Sequence, residues 1–116
     1  MYITIIIRKY CYLALELKDG GDLRFHLDCL KHRFSEHDVA YLVMALSQAL
    51  RHIRSKRIIH RDVKPDNIIF DQKGRPSLTD FGIAYIDYQD KNIPLETNLK
   101  SGTPGIILYI INEYFH

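Results

Sequence analysis

The 116-residue sequence predicts an α+β fold, mainly α. Three observations carry that expectation. A long apolar stripe recurs at helical spacing in the first half of the chain. Two short apolar runs flank a turn in the second half. An aromatic and aliphatic run near the start ends at two glycines.

That run comes first. Residues 10–17, Tyr-Cys-Tyr-Leu-Ala-Leu-Glu-Leu, read as a buried strand that enters a turn at Lys18-Asp19-Gly20-Gly21. Over residues 22–31, Leu23, Leu27 and Leu30 fall at spacings of four and three. A short helix fits, with Asp22 near its N-terminus, where a carboxylate is favoured. The clearest helix covers about 36–56. Ser35 can cap it, with Asp38 three residues on. Val39, Leu42, Val43, Leu46, Leu50 and Ile53 form one stripe that predicts one buried face. Arg51, Arg54, Lys56 and Arg57 crowd the last turns, where cations complement the helix dipole.

After Ile59 the chain turns polar, and Pro65 bars a helix interior. Residues 68–70 and 77–79 read as two strands joined across the turn Asp71-Gln72-Lys73-Gly74. Residues 83–104 have weak periodicity and read as a long irregular segment, and such segments are often functional. Residues 106–116 fit no pattern.

Composition narrows the class. The chain is 47% hydrophobic and 26% charged, the balance of a globular domain rather than a disordered or fibrous one. A net charge of +2 gives no reason to expect a nucleic-acid or membrane partner. The longest early apolar run, Ile3 to Ile7, is closed by Arg8 and Lys9, too short for a membrane span and without signal-peptide flanks. Cys11 and Cys29 have neither metal-ligand spacing nor a disulfide framework, so a reducing, intracellular setting is expected, cytoplasmic by default. The six histidines lack zinc spacing.

The residues able to do chemistry are concentrated. Asp62, Lys64 and Asn67 lie within six positions, and Asp80 follows thirteen after Asn67. If 68–70 pairs with 77–79, Asn67 and Asp80 come to the same end of the hairpin. An amide oxygen beside a carboxylate suits Mg²⁺. Asp62 could accept a proton there, and Lys64 could neutralise a transferring anionic group. Metal, base and positive charge are the needs of phosphoryl transfer.

His60-Arg61-Asp62-Val63-Lys64-Pro65-Asp66-Asn67, followed by Asp80-Phe81-Gly82, resembles the catalytic loop and metal-binding triplet of protein kinases. Lys64 resembles the serine/threonine branch. Gly20-Gly21-Asp22-Leu23-Arg24-Phe25-His26-Leu27 and Arg57-Ile58-Ile59-His60 resemble the AGC group, and most closely its YANK-type kinases. The resemblance covers residues 10–105 and implies a partial kinase domain, the hinge strand plus the upper C-lobe, with 1–9 and 106–116 unmatched. It implies ATP and Mg²⁺ as cofactors and a protein serine or threonine as substrate. Asp62 matches the residue that orients the substrate hydroxyl and accepts its proton, and Lys64 the lysine that steadies the γ-phosphate. Asn67 and Asp80 match the two Mg²⁺ ligands. Thr103 matches the threonine that bonds to the catalytic aspartate and lysine. Glu16 to Lys18 match the hinge, Leu15 the gatekeeper, Asp22 the acidic residue at the ribose and Ile69 the floor of the adenine pocket. His60 and Phe81 match apolar spine positions, and Arg61 the arginine that pairs with a phosphorylated activation loop.

Residues 1–9 contain no Gly-rich loop, strand lysine or helix glutamate, and no Ala-Pro-Glu follows Gly105. The resemblance puts the activation-loop phosphosite near Leu99, which cannot be phosphorylated, with Thr97 and Ser101 as neighbours. The expectation is therefore an incomplete domain that folds marginally alone and is weakly active or inactive. The alternative is a non-catalytic binding module, docked by a protein partner over the uncovered helical face, or an incomplete gene product.

Overall fold

The structure, a computed structural model, describes residues 3–29 and 33–88. Expectations for Leu30, Lys31, the segment beyond Tyr88, Thr97, Leu99, Ser101, Thr103 and the tail 106–116 lie outside the described residues. The described chain runs β1 (Ile3–Ile7), β2 (Tyr10–Ala14), α1 (Leu23–Asp28), α2 (Glu36–Ser55), β3 (Ile58–Ile59), a single 3₁₀ turn at Pro65–Asn67, β4 (Ile68–Phe70), β5 (Pro76–Leu78) and β6 (Tyr85–Ile86). More residues lie in the two helices than in the six strands, as an α+β, mainly α reading requires.

Both helix starts follow from local chemistry. Asp22 caps α1 by accepting from the Phe25 amide at 2.7 Å. Ser35 and Asp38 form a reciprocal capping box on α2: the Asp38 amide donates to Ser35 Oγ at 3.2 Å, and the Ser35 amide donates to Asp38 Oδ2 at 3.0 Å.

The core is small. Leu23, Val39, Leu42, Ile68 and Phe70 are buried, with Leu27, Phe34, Leu46 and Leu78 packed against them. It therefore joins α1, the N-terminal half of α2 and the β4–β5 hairpin. Each buried aliphatic contributes about 1.5–3 kcal/mol relative to full exposure. β4 pairs with β5 in antiparallel register, Ile68 with Leu78, Ile69 with Ser77 and Phe70 with Pro76. The segment after β2 is tied to the far edge of β4: the Gly20 amide donates to Phe70 O at 2.9 Å and the Phe70 amide to Gly21 O at 2.8 Å. Glycine is required at position 20, because a Cβ there would lie 2.5 Å from Asp71 O and 2.8 Å from Phe70 O.

Three expectations are corrected. The strand expected at 10–17 spans only 10–14, and it is exposed along its length rather than buried. Its partner is β1, the apolar run Ile3–Ile7, which sequence reading did not identify as a strand. The two form a hairpin that packs on nothing among the described residues strongly enough to bury a side chain. The stripe of α2, expected to lie uncovered in a partial domain, is partly buried. Val39 and Leu42 are covered by the hairpin side of the core, Leu46, Leu50 and Ile53 are half-buried, and Val43 is 47% exposed. The physical reason is supply: α2 packs against β5 and β3, and these short strands cover one side of the helix only. Finally, the stretch read as irregular from Ile83 holds β6, which pairs with β3, Ile58 with Ile86 and Ile59 with Tyr85. No helix among the described residues is long and apolar enough to cross a membrane.

Candidate active site

The polar loop between β3 and β4 is ordered from below. His60 is buried, and its ring meets the Phe81 ring edge-on at 4.6 Å. His60 Nε2 lies 2.9 Å from Thr79 O, and the Asp62 amide donates to His60 Nδ1 at 3.2 Å. This arrangement assigns the ring proton to Nε2, which donates to the carbonyl, and leaves Nδ1 as acceptor. One imidazole thus joins the loop carrying Asp62 to the strand end carrying Asp80.

Above that base the charged groups converge. Lys64 Nζ donates to Asp62 Oδ2 at 2.7 Å. Asn67 Nδ2 donates to Asp62 O at 2.8 Å and to Asp62 Oδ2 at 3.0 Å. The pairing with Asp62 raises the Lys64 ammonium above its ordinary value, so it stays charged. The 3₁₀ turn at Pro65–Asn67 swings Asn67 back under Asp62, and Asn67 is buried. The Thr79 amide donates to Asn67 O at 3.0 Å, which continues the hairpin ladder one step and sets Asp80 beside Asn67 at the same end. Asp80 is exposed and has φ 63°, a left-handed backbone that a non-glycine residue adopts only when its neighbours enforce it. Its Oδ1 accepts from the Gly82 amide at 3.1 Å.

The donor set suits Mg²⁺. Asn67 spends its N–H group on Asp62, so its amide oxygen is the atom left for a cation, and the Asp80 carboxylate is the second hard oxygen ligand at that hairpin end. Two protein oxygens with remaining positions open to water and phosphate fit Mg²⁺ better than a closed all-protein cage does.

A cleft of about 700 Å³ opens beside this cluster. One wall comes from Leu13, Leu15, Glu16 and Lys18, where the chain leaves β2. The other comes from Ile69, Ser77, Leu78 and Thr79 of the second hairpin, with Asp80 to Gly82 at the polar end. The cleft has the volume of a small-molecule site and is mainly apolar with few polar groups. Lys18 Nζ pairs with Glu16 at 2.7 Å, which holds the Glu16 carboxyl below its ordinary value.

The structure therefore brings Asp62, Lys64 and Asn67 into direct contact and sets Asp80 beside them. It lines one cleft with Glu16, Lys18, Ile69 and Asp80. Asp22 is placed differently: its carboxylate caps α1, and it does not line the cleft, although its backbone bridges to Ile69. Thr103 lies outside the described residues. Arg61 Nε donates to Ile83 O at 2.5 Å, and its guanidinium lies 5.9 Å from the Tyr85 ring centroid. Sequence reasoning passed over Ser77 and Thr79. Their i, i+2 spacing on a strand, with Ser77 opposite Ile69, was the available signal.

The sequence matches the protein kinase domain family over residues 1–105. It is 48% identical over 105 residues to serine/threonine-protein kinase 32C of Mus musculus, covering 90% of this chain and 20% of that protein. It is 39% identical over 95 residues to a probable serine/threonine-protein kinase of Dictyostelium discoideum, covering 82% of this chain and 20% of that protein. It is 43% identical over 82 residues to ribosomal protein S6 kinase alpha-3 of Mus musculus, covering 69% of this chain and 11% of that protein. The chain spans about a fifth or less of the length of these relatives.

Proposed function

The chain belongs to the protein kinase family, and from this we propose that it supplies the catalytic loop and nucleotide-cleft floor of an ATP-dependent serine/threonine protein kinase. One observation carries the reading. The Asp62 carboxylate gathers Lys64 and Asn67 within 3.0 Å, at the hairpin end where the next residue after the Asn67–Thr79 ladder bond, Asp80, lines the cleft.

In this reading Asp62 orients the hydroxyl of a substrate serine or threonine and accepts its proton. Lys64, kept charged by its neighbours, stabilises the negative charge of the phosphoryl group in transfer. Asn67 and Asp80 hold Mg²⁺, which neutralises phosphate oxygens when bound. Ile69 and Leu15 present apolar surface to the base, and Glu16 to Lys18 present the backbone edge. His60 and Phe81 keep the two metal-ligand segments in register. An intracellular, cytoplasmic setting completes the proposal, and the free thiols of Cys11 and Cys29 agree with it.

The test is ATP titration of the full chain, with Mg²⁺ or with EDTA, followed by thermal unfolding. Ligand at about 100 times Kd should stabilise by about 2.7 kcal/mol. Asp80→Ala should remove the Mg²⁺-dependent part and leave the rest. No stabilisation at millimolar Mg·ATP would sink the reading. The non-catalytic alternative, a binding module with a protein partner over the helix, would then stand, favoured by exposed Tyr41, Val43 and Met44 on α2.

A further inference from the structure

We propose that Arg57 and Asp87 are a positioning pair, whose contact closes the loop of chain holding the whole candidate site and so sets Asp80 for Mg²⁺. This rests on the function proposed above and adds residues to it.

The two residues are thirty positions apart and meet twice. Arg57 and Asp87 form an ion pair through Nη2 and Oδ2, and the Asp87 amide donates to Arg57 O at 3.0 Å. Both side chains are largely shielded, 15% exposed for Arg57 and 8% for Asp87. A charge pair withdrawn from water is costly to maintain unless it is well bonded, so its presence at this point needs a physical role. The strands it borders explain one. β3 and β6 are only two residues each, too short to hold a long loop by ladder bonds alone. Every residue placed in the chemistry of the polar cluster, from His60 to Gly82, lies inside the loop that this pair closes.

The strained backbone points the same way. Arg57 has φ 57°, Arg61 φ 69° and Asp80 φ 63°. Outside tight hairpin turns and helix ends, such conformations are costly for non-glycine residues and persist where the surrounding structure holds them. Arg57 follows the C-cap of α2, where a left-handed residue commonly ends a helix and its amide donates to Arg54 O at 2.8 Å, and Asp87 bonds it from the other side. Arg61 is imposed through Ile83 O and the Tyr85 ring, between Asp80 and Asp87. Asp80 lies seven residues before Asp87, with a short hydrogen-bonded turn, Ala84 amide to Phe81 O at 3.0 Å, between them. Releasing Asp87 frees the far end of that segment and lets Asp80 relax from its left-handed conformation.

The experiment uses the full chain in two measurements. The first is the Mg²⁺ concentration needed for ATP binding, set against ATP affinity in EDTA. The second is hydrogen exchange of the amides of residues 80–87, which needs no nucleotide. Asp87→Asn should raise the Mg²⁺ requirement about tenfold, the scale of losing an outer support of a metal site. It should leave affinity in EDTA unchanged and speed exchange at 80–87 while α2 exchanges as before. The charge swap Arg57→Asp with Asp87→Arg should recover part of both. Arg57→Lys keeps the charge and loses the fork, and it covers the case in which Asp87→Asn does not fold. An intermediate rise in the Mg²⁺ requirement then supports the pair, and a native requirement overturns it. Equal losses with and without Mg²⁺ would mean a purely structural contact and also overturn it. Absence of Mg·ATP binding by the native chain defeats the proposed function. Unchanged exchange at 80–87 in Asp87→Asn defeats this inference whatever the nucleotide result.

Discussion

Asp71 accepts hydrogen bonds from the Lys73 amide at 2.9 Å, the Arg75 amide at 3.0 Å and Arg75 Nε at 2.7 Å. These donors, the Arg75 amide first, hold its pKa at about 2 against an ordinary 3.8. A carboxyl whose folded pKa is depressed adds stability above its unfolded value and loses it as pH falls through the folded one. The turn should therefore weaken between about pH 4 and about pH 2. Asp71→Asn should lower stability at neutral pH and flatten that acid limb, read from urea midpoints across the range. A limb of equal slope in the variant would remove Asp71 as its source. Asp71 opens the turn Asp71-Gln72-Lys73-Gly74, which was legible in sequence because a short acceptor beside glycine bonds its own backbone. The polar cluster was legible for a similar reason: Asp62, Lys64 and Asn67 are near neighbours in the chain and meet within one turn. The left-handed backbone of Arg61 was not legible, since the contact that holds it comes from Ile83, 22 positions away.

Among the elements, α2 separates what the chain specifies locally from what its neighbours supply. Leu42 is 4% exposed in the core, and Val43, next to it, is 47% exposed. Leu42→Ala should cost about 2–5 kcal/mol, the range for emptying a buried aliphatic site. Val43→Ala should change stability by less than about 0.5 kcal/mol. Chemical denaturation of the two variants checks this, and comparable losses would mean that Val43 is covered in solution. The bounds of α2 were readable because Ser35 and Asp38 cap it with their own side chains. The depth of its stripe was not, because periodicity says which face is apolar and not how much of it a partner covers. The β4–β5 hairpin was readable from its turn, within one residue of its observed strands. β3 and β6 were not, as each is two residues long and its partner lies 26 or more residues away. β1 was missed because Ile-Thr-Ile-Ile-Ile, with one polar residue, carries too little alternation to mark it as a strand.

For the whole molecule the unresolved tension is the β1–β2 hairpin. Strands read as continuous apolar runs when both of their faces are covered. Here the register puts Ile3, Ile5, Ile7, Tyr10 and Tyr12 on one face and Ile6 and Leu13 on the other. Ile5 is nevertheless 48% exposed, Ile6 76% and Leu13 63%. A lone two-stranded hairpin is marginal in water, and both of its edges carry unpaired backbone groups able to template another strand. Among the described residues none of the five buried core residues lines the candidate cleft, and Leu78, packed against that core, joins the two. The 116-residue chain should therefore self-associate through this hairpin at roughly micromolar concentration, where exposed apolar edges begin to aggregate. Sedimentation velocity across a concentration series reads the association. Ile5→Lys combined with Ile6→Glu places one charge on each face and should shift the chain toward monomer, while the helical circular dichroism of α2 is retained. A native chain that stays monomeric through tens of micromolar, or a double variant that associates as strongly as native, would mean that the hairpin is not the surface responsible. The outcome also bears on the cleft, because Leu13 and Leu15 form one of its walls and are carried by this hairpin and its exit. If association covers the hairpin, nucleotide affinity should rise with protein concentration, since a wall ordered by a neighbour no longer has to be ordered by the ligand.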